Sequence, residues 1–408
     1  QETLECPFDA YKALRDEAPV FKIPQTGHYV VTRYDLVMEA VRNTEVFSSQ
    51  VNQAASAPGG HYEKVREYIA ENGVELANTL ISADPPEHTR YRTLVNRAFT
   101  AGRVRKMQDY IQQIVDELID EFIDKGECEF VEEFAIKLPI YVIADQLGVP
   151  RSDMKKFKAW SDASVPTGID LGLETEMERA RLVVEFQHYF SERIEERRQK
   201  AEDDILSDLV NAQVEGERPL EIKELLSIIQ QLLVAGNETT TNALAAGMVL
   251  LMENPDQRQM LREGNDKQMR TFVEEVLRLE APVQGLFRIT TQDTELGGFK
   301  IPKGAMVNLR WGAANRDERV FECPAELDVN RKNAGAQIAF GVGAHFCVGA
   351  MLAREEMFCA FRTLLNRLEN IHFAEENPSL EHHPNFILRG LKELRLGFDK
   401  ADAVQAAE

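Results

Sequence analysis

Apolar residues along most of this chain recur every three or four positions, the spacing that gathers them on one face of a helix. Residues 90–264 keep this rhythm almost without break. Within them 107–123 is a clear amphipathic stretch, and 222–252 is the longest run, stopped by Asn254-Pro255. Residues 269–279 repeat the pattern and end at Ala281-Pro282. The period then falls to two across 287–309, with turns marked by Gly297-Gly298 and Pro302-Lys303-Gly304. Helical spacing returns at 350–368, and 384–398 alternates as strand. The first fifty residues are mixed, with a strand pair at 20–23 and 28–32 around Gln25-Thr26-Gly27. Residues 51–80 carry one helical patch, 62–71, in an otherwise irregular stretch of the kind that often lines a binding site. The pattern predicts a mainly α fold with a smaller β region (α+β). With no repeat and no linker, residues 1–408 are expected to form one domain: a helical body beside a β-rich region built from both ends of the chain.

Charge narrows the partners. Sixty-eight acidic residues against 47 basic ones, a net charge of −21, argue against nucleic acid. Five scattered cysteines, Cys6, Cys128, Cys323, Cys347 and Cys359, suit a reducing cytoplasm better than a disulfide scaffold. The most apolar stretch, 243–252, is far shorter than the roughly 20 residues that cross a bilayer, so no membrane association is expected. Residues 1–5 have neither a basic nor an apolar segment and do not read as a signal peptide. With no Met at position 1, they leave room for a missing start.

The most informative segment is Phe340-Gly341-Val342-Gly343-Ala344-His345-Phe346-Cys347-Val348-Gly349. Glycines allow tight turns and close approach to a flat partner. Cys347 sits where this loop becomes the 350–368 helix, and the unpaired N–H groups of a helix N-terminus stabilise a thiolate. A thiolate is the form that ligates iron. By itself the segment also fits a glycine-rich turn with an ordinary buried cysteine. Zinc is a weaker reading, because His345 and Cys347 lack a second ligand pair at the usual spacing. A dinucleotide fingerprint fails because Phe346 stands where the third glycine is needed.

Read as F-G-x-G-x-H-x-C-x-G-x-x-L-A-R, Phe340 to Arg354 resembles the haem-binding signature of the cytochrome P450 family. The resemblance extends over nearly the whole chain and implies the P450 fold, with haem b sandwiched between the long helix and the cysteine loop. It implies Cys347 as the axial ligand to iron, His345 near a haem propionate, and Phe340, Gly341, Gly349 and Ala235 against the cofactor. Asp84-Pro85-Pro86-Glu87-His88-Thr89-Arg90-Tyr91-Arg92 resembles a propionate-binding element through His88 and Arg92, which share a helix face. Arg288 matches a strand arginine for the other propionate. Glu275 and Arg278, three apart on a helix, resemble the E-x-x-R pair, and Arg331 the third member of that cluster. These three are assigned a structural role.

Ala235-Gly236-Asn237-Glu238-Thr239-Thr240 lies midway along the longest helical run. Glycine there costs about 1 kcal/mol relative to alanine, which makes sense if something passes close to the backbone. A threonine hydroxyl can bond back to the carbonyl four residues earlier, and an acid beside a hydroxyl suits proton relay. The match to the family's A-G-x-[DE]-T pattern implies that Thr239 and Glu238 are catalytic, Thr239 steadying the activated oxygen and Glu238 helping to deliver protons.

Family position further implies a substrate pocket of Gln231, Val234, Ala235, Val283, Gln284, Leu286, Phe287, Phe386, Ile387 and Leu388. Its lid would come from residues 51–80 and the Pro166-Thr167-Gly168 turn. An uncharged lining points to a hydrophobic substrate: a terpenoid, a steroid or an aromatic hydrocarbon. The reaction expected is insertion of one atom of O2 by hydroxylation or epoxidation. No reductase domain is fused, so electrons are expected from a separate ferredoxin and its reductase. Arg90, Arg97, Arg103, Arg105 and Lys106, in a stretch without acids, are the expected docking patch. The alternatives are a peroxide-driven peroxygenase, a haem isomerase and a non-catalytic haem sensor. The Glu238–Thr239 pair argues against the first two, and the absence of an output domain against the third.

Overall fold

The computed structural model describes residues 6–51, 61–165, 171–214, 216–376 and 378–401. Residues 52–60 of the expected lid and the Pro166-Thr167-Gly168 turn lie outside them.

Helices dominate. The N-terminal part holds α1 (Phe8–Glu17), α2 (Tyr34–Arg42), α3 (Tyr62–Asn72), α4 (Glu87–Val95) and α5 (Ala101–Lys106). The body is built from α6 (Gln108–Asp120), α7 (Lys137–Gln146), α8 (Met154–Ser164), α9 (Leu173–Gln199), α10 (Ile205–Val210) and α11 (Ile222–Glu253). Then come α12 (Pro255–Glu263), α13 (Asp266–Glu280), the short α14 (Trp311–Ala314) and α15 (Ala350–Arg367). The 32-residue α11 is the central rod. Leu225, Leu226, Ile228, Ile229, Leu233, Leu244, Met248 and Leu251 along it are all fully buried, on both sides of its midpoint. Its start is fixed by Glu224, whose carboxylate accepts the Glu221 N–H at 2.8 Å. It stops at Asn254, where Pro255 opens α12. Helix boundaries expected at 107–123, 222–252, 269–279 and 350–368 lie within a few residues of α6, α11, α13 and α15.

The β region is two main sheets and a hairpin. The larger has the order β1-β2-β8-β5-β3, from β1 (Val20–Lys22), β2 (Tyr29–Val31), β3 (Phe47–Ser48), β5 (Leu286–Thr290) and β8 (Met306–Leu309). It packs on α2 around Val31, Val37, Val307 and Leu309. β6 (Thr294–Leu296) and β7 (Phe299–Ile301) form the hairpin at Gly297-Gly298. The second sheet joins β4 (Glu127–Glu129), β10 (Arg395–Lys400) and β9 (Leu368–Phe373). The N-terminal strands therefore pair with residues 286–309, and the C-terminal strand belongs to a different sheet. The expected strand at 384–398 is also shortened. Asn385 Oδ1 accepts the N–H groups of Ile387 and Leu388 at 2.8 and 3.0 Å, which curls the chain into a turn until β10 begins.

Candidate functional site

The cysteine loop is shaped by its backbone. Gly341 and Gly343 have φ of +68° and +71°, the left-handed region. Cys347 N–H bonds the Phe340 carbonyl at 2.9 Å, closing the loop on itself. The thiol lies at the start of α15, where the Gly349 and Ala350 N–H groups point at it and Arg92 and Arg354 stand near. Burial pushes the thiol up, and the N–H groups and the two guanidinium groups oppose it.

Two polar struts hold the loop. Glu275, fully buried, bonds Arg278 at 2.6 Å and Arg331 at 2.9 Å. These arginines also donate to the carbonyls of Pro324, Glu326 and Glu322 at 2.6, 3.0 and 2.7 Å, which fixes the segment before the loop. The second strut, missed in the sequence, is Glu274. It takes Arg354 of α15 at 2.5 Å and Gln337 at 2.9 Å, while Arg354 lies over the Phe340 ring at 4.5 Å. One helix, α13, thus braces both ends of the loop.

Next to it lies a group of nitrogen bases with few acids. The His88 and His345 rings are 4.1 Å apart, and Arg92 and Arg288 act electrostatically on both imidazoles. Burial and the neighbouring cations push His345 down to about 3 and also lower His88. Arg288 is driven down to about 10 by burial. Asp84 is a carboxylate that acts on His88 and Arg288. Its two oxygens are already used by Ser48 Oγ at 2.5 Å and Ser49 N–H at 2.8 Å, and Ser49 Oγ lies 3.0 Å from His345 Nε2. Asp84 opens the segment that resembles the propionate-binding element, whereas Ser49 carried no sequence signal, because a lone Ser in a loop has many uses.

On α11, Thr239 Oγ1 donates to the Ala235 carbonyl at 2.7 Å. Ala235 is exposed at the middle of a helix whose neighbours Leu232 and Leu233 are buried. A Cβ on Gly236 would meet only Ile143, at 4.0 Å, so no protein side chain crowds that backbone. Burial raises the Glu238 pKa, Asp162 on α8 adds to the rise and Lys158 opposes it. Glu356 of α15, buried, receives the Thr240 hydroxyl and is pushed up to about 8 by its burial. Nothing in the sequence marks it among the acids of that helix.

Some expected placements are corrected. Gln284 is 3% exposed, and its amide is spent on the Tyr11 hydroxyl at 2.9 Å and the Ala281 carbonyl at 2.8 Å, so it faces the core. Gln231 ties α11 to the Leu80–Ser82 turn through Thr79 Oγ1 and Ile81 N at 2.8 and 3.1 Å. Beside it Ile81 is 52% exposed, an apolar side chain the sequence gave no reason to single out. Phe287 and Phe386 lie 6.0 Å apart, and Val283 bridges to Leu388. Two docking arginines are already paired. Arg90 bonds Glu217 and Glu224 at 3.2 and 3.0 Å, and Arg103 bonds Asp203 and Asp208 at 2.9 and 2.7 Å. Arg97, Arg105 and Lys106 remain exposed.

This arrangement fits haem b. A thiol at a helix N-terminus lies beside imidazoles that can donate hydrogen bonds and beside the Arg92 and Arg288 guanidinium groups, which are short of counter-charge, and this suits the cofactor's two propionates. The Cytochrome P450 family model matches residues 168–396. Putative cytochrome P450 YjiB of Bacillus subtilis (strain 168) is 38% identical over 394 residues, 96% of this chain and 93% of that protein. The crystal structure of the versatile cytochrome P450 enzyme CYP109B1 from Bacillus subtilis has a TM-score of 0.83 at 37% identity, covering 97% of this chain and 100% of that one. CYP109E1 from Bacillus megaterium in complex with corticosterone gives 0.84 at 33%, covering 97% and 99%. The chain belongs to the cytochrome P450 family. It is a monooxygenase that uses dioxygen on a small-molecule substrate, with haem b as cofactor. No helix among the described residues is long and apolar enough to cross a membrane.

Proposed function

We propose that Cys347 is the axial ligand to the haem iron and that the chain oxidises an uncharged hydrophobic molecule, a terpenoid, steroid or aromatic hydrocarbon, with electrons from a separate ferredoxin and its reductase. The observations that carry this reading are the Cys347 thiol with the Arg92 guanidinium and the His88–His345 pair near it, and a helix that bares Ala235 beside Thr239. When bound, haem supplies the oxygen chemistry. His88, Arg92, Arg288 and His345 hold the propionates, and the Glu275–Arg278–Arg331 and Glu274–Arg354 struts keep the sulfur in place. Thr239, anchored to the Ala235 carbonyl, keeps its oxygen lone pairs free to accept a proton donor. Glu238 is biased towards its protonated form by burial and Asp162, so it can hand a proton to Thr239's surroundings and recover one from the α8 side.

Val234, Ala235, Val283, Leu286, Phe287, Phe386, Ile387 and Ile81 form the apolar lining, with no charged side chain among them. CYP109E1, solved with corticosterone, supports the steroid option. Arg97, Arg105 and Lys106 are the docking patch for the acidic ferredoxin, Arg90 and Arg103 being spent inside the molecule. Titrating the ferric enzyme with corticosterone and with a steroid of similar size bearing a carboxylate tests the lining. The neutral compound should shift the iron to high spin at lower concentration. A stronger response to the carboxylate would contradict an uncharged pocket.

A further inference from the structure

Residues 73–79 run from α3 to the Leu80–Ser82 turn, and a glutamine amide clasps each end of this strap. At the first end the fully buried Gln187 of α9 pairs with the backbone of Val74. Its Oε1 accepts the N–H at 2.7 Å and its Nε2 donates to the carbonyl at 3.0 Å. At the second end Gln231 of α11 accepts the Ile81 N–H at 3.1 Å through Oε1. Its Nε2 donates to Thr79 Oγ1 at 2.8 Å and to Ser227 Oγ at 3.2 Å.

The hydrogens of this second clasp form a closed circuit. The Ser227 hydroxyl donates to the Ala77 carbonyl at 2.7 Å, so across the 2.9 Å Thr79–Ser227 contact the Thr79 hydroxyl is the donor. Both Nε2 hydrogens are met by lone pairs, and Oε1 meets a group that can only donate. Thr79 and Ser227 are buried, where an unmet partner is costly. Leu80, between the clasped residues, has φ of +34°, a conformation a leucine keeps only when its surroundings impose it. Leu80 and Ser82 are buried, while Ile81 between them is 52% exposed, more than any other large apolar side chain among the described residues. Gln231 shares one face of α11 with Val234 and Ala235, so the clasp seats residue 81 on that face.

We propose that Gln231 is a positioning residue: it sets the size of ligand the site admits by holding Ile81 against the Ala235 face of α11. This rests on the reading of that face as the substrate side. Gln231 itself spends its amide on the strap and offers the ligand nothing, and Ile81 makes the contact. Gln187 holds the far end of the strap and plays no part in the selection.

Two measurements on the holoenzyme test it. Amide exchange of residues 79–82, read by mass spectrometry, should quicken about tenfold in Gln231→Met, the loss of one hydrogen bond. Thr79→Val, the same shape without the hydroxyl, should quicken it about threefold and decides the matter if Gln231→Met does not fold. Imidazole and 4-phenylimidazole are then titrated onto the ferric haem. Ile81→Ala should favour the larger ligand over the smaller by about tenfold. Gln231→Met should shift the same ratio and add nothing when Ile81 is already alanine, and Gln187→Met should leave the ratio unchanged. Unaltered exchange, additive effects of the two substitutions, or an equal shift from Gln187→Met would overturn the role of Gln231 alone. Quickened exchange with no shift in the ratio for Ile81→Ala would sink the substrate-side reading of the Ala235 face, and the proposal with it.

Discussion

At the residue scale the chemistry turns on side chains whose neighbours set their protonation. Thr239 is bound to a backbone carbonyl rather than to another side chain, so Thr239→Ala removes one hydroxyl and little else. The variant should keep consuming reductant while yielding less product and more peroxide or water. Product formed per reductant used is the measure, and an unchanged ratio would remove Thr239 from the proton path. Glu356 gives a pH prediction. Its folded pKa of about 8 lies above the ordinary 4.5, so the fold favours the neutral acid. Its contribution is fully present below pH 4.5 and is lost as pH rises towards 8. Glu356→Gln should therefore gain stability relative to wild type across that window, as read by urea unfolding of the holoenzyme at pH 5 and pH 8. Legibility at this scale depended on neighbours in sequence. Cys347 and Thr239 sit in dense motifs, while Glu356, Glu274 and Ser49 are isolated letters that only tertiary packing brings to the site. Gln284 stands in an alternating run beside pocket candidates, but the Tyr11 hydroxyl, 273 residues away, captures its amide.

At the scale of elements, α13 is the part that fixes the cysteine loop. Glu275 balances two buried arginines, and removing one partner from such a cluster costs about 3–5 kcal/mol. Glu275→Gln should lower the unfolding free energy by about that amount and release haem at a denaturant concentration below the wild-type midpoint. Haem absorbance and far-ultraviolet ellipticity followed together would check this, and an unshifted haem transition would show that the strut does not hold the loop. The helices themselves were readable because their apolar spacing persists for several turns and Pro or Asn-Pro ends them. Residues 384–394 read as strand because alternating letters alone do not distinguish a strand from a turn; the structure buries Gly390 and Leu391 together and exposes Lys392 and Glu393 together. Asn385, the turn former, was the available signal.

At the scale of the whole molecule, the excess of acid makes an exposed basic patch conspicuous. Arg97, Arg105 and Lys106 are exposed, whereas Arg103 is spent on Asp203 and Asp208. Arg97→Glu with Arg105→Glu should weaken ferredoxin-supported turnover most at low salt, with the difference fading as salt rises. Arg103→Glu should act on stability instead, through its lost ion pairs. Equal salt dependence in wild type and the double variant would remove the patch. The assembly of the sheets was the least legible feature. Which strand lies beside which is decided by long-range pairing, such as β2 with β8 and β4 with β10, and no local pattern reports it.

All of these effects presuppose a sulfur–iron bond at Cys347. The direct test is the absorption spectrum of the reduced carbon monoxide complex, recorded per haem bound, for wild type and Cys347→Ser. The wild type should show the strongly red-shifted Soret band of a thiolate-ligated haem, and Cys347→Ser should lose it. Persistence of that band in Cys347→Ser would contradict the assignment.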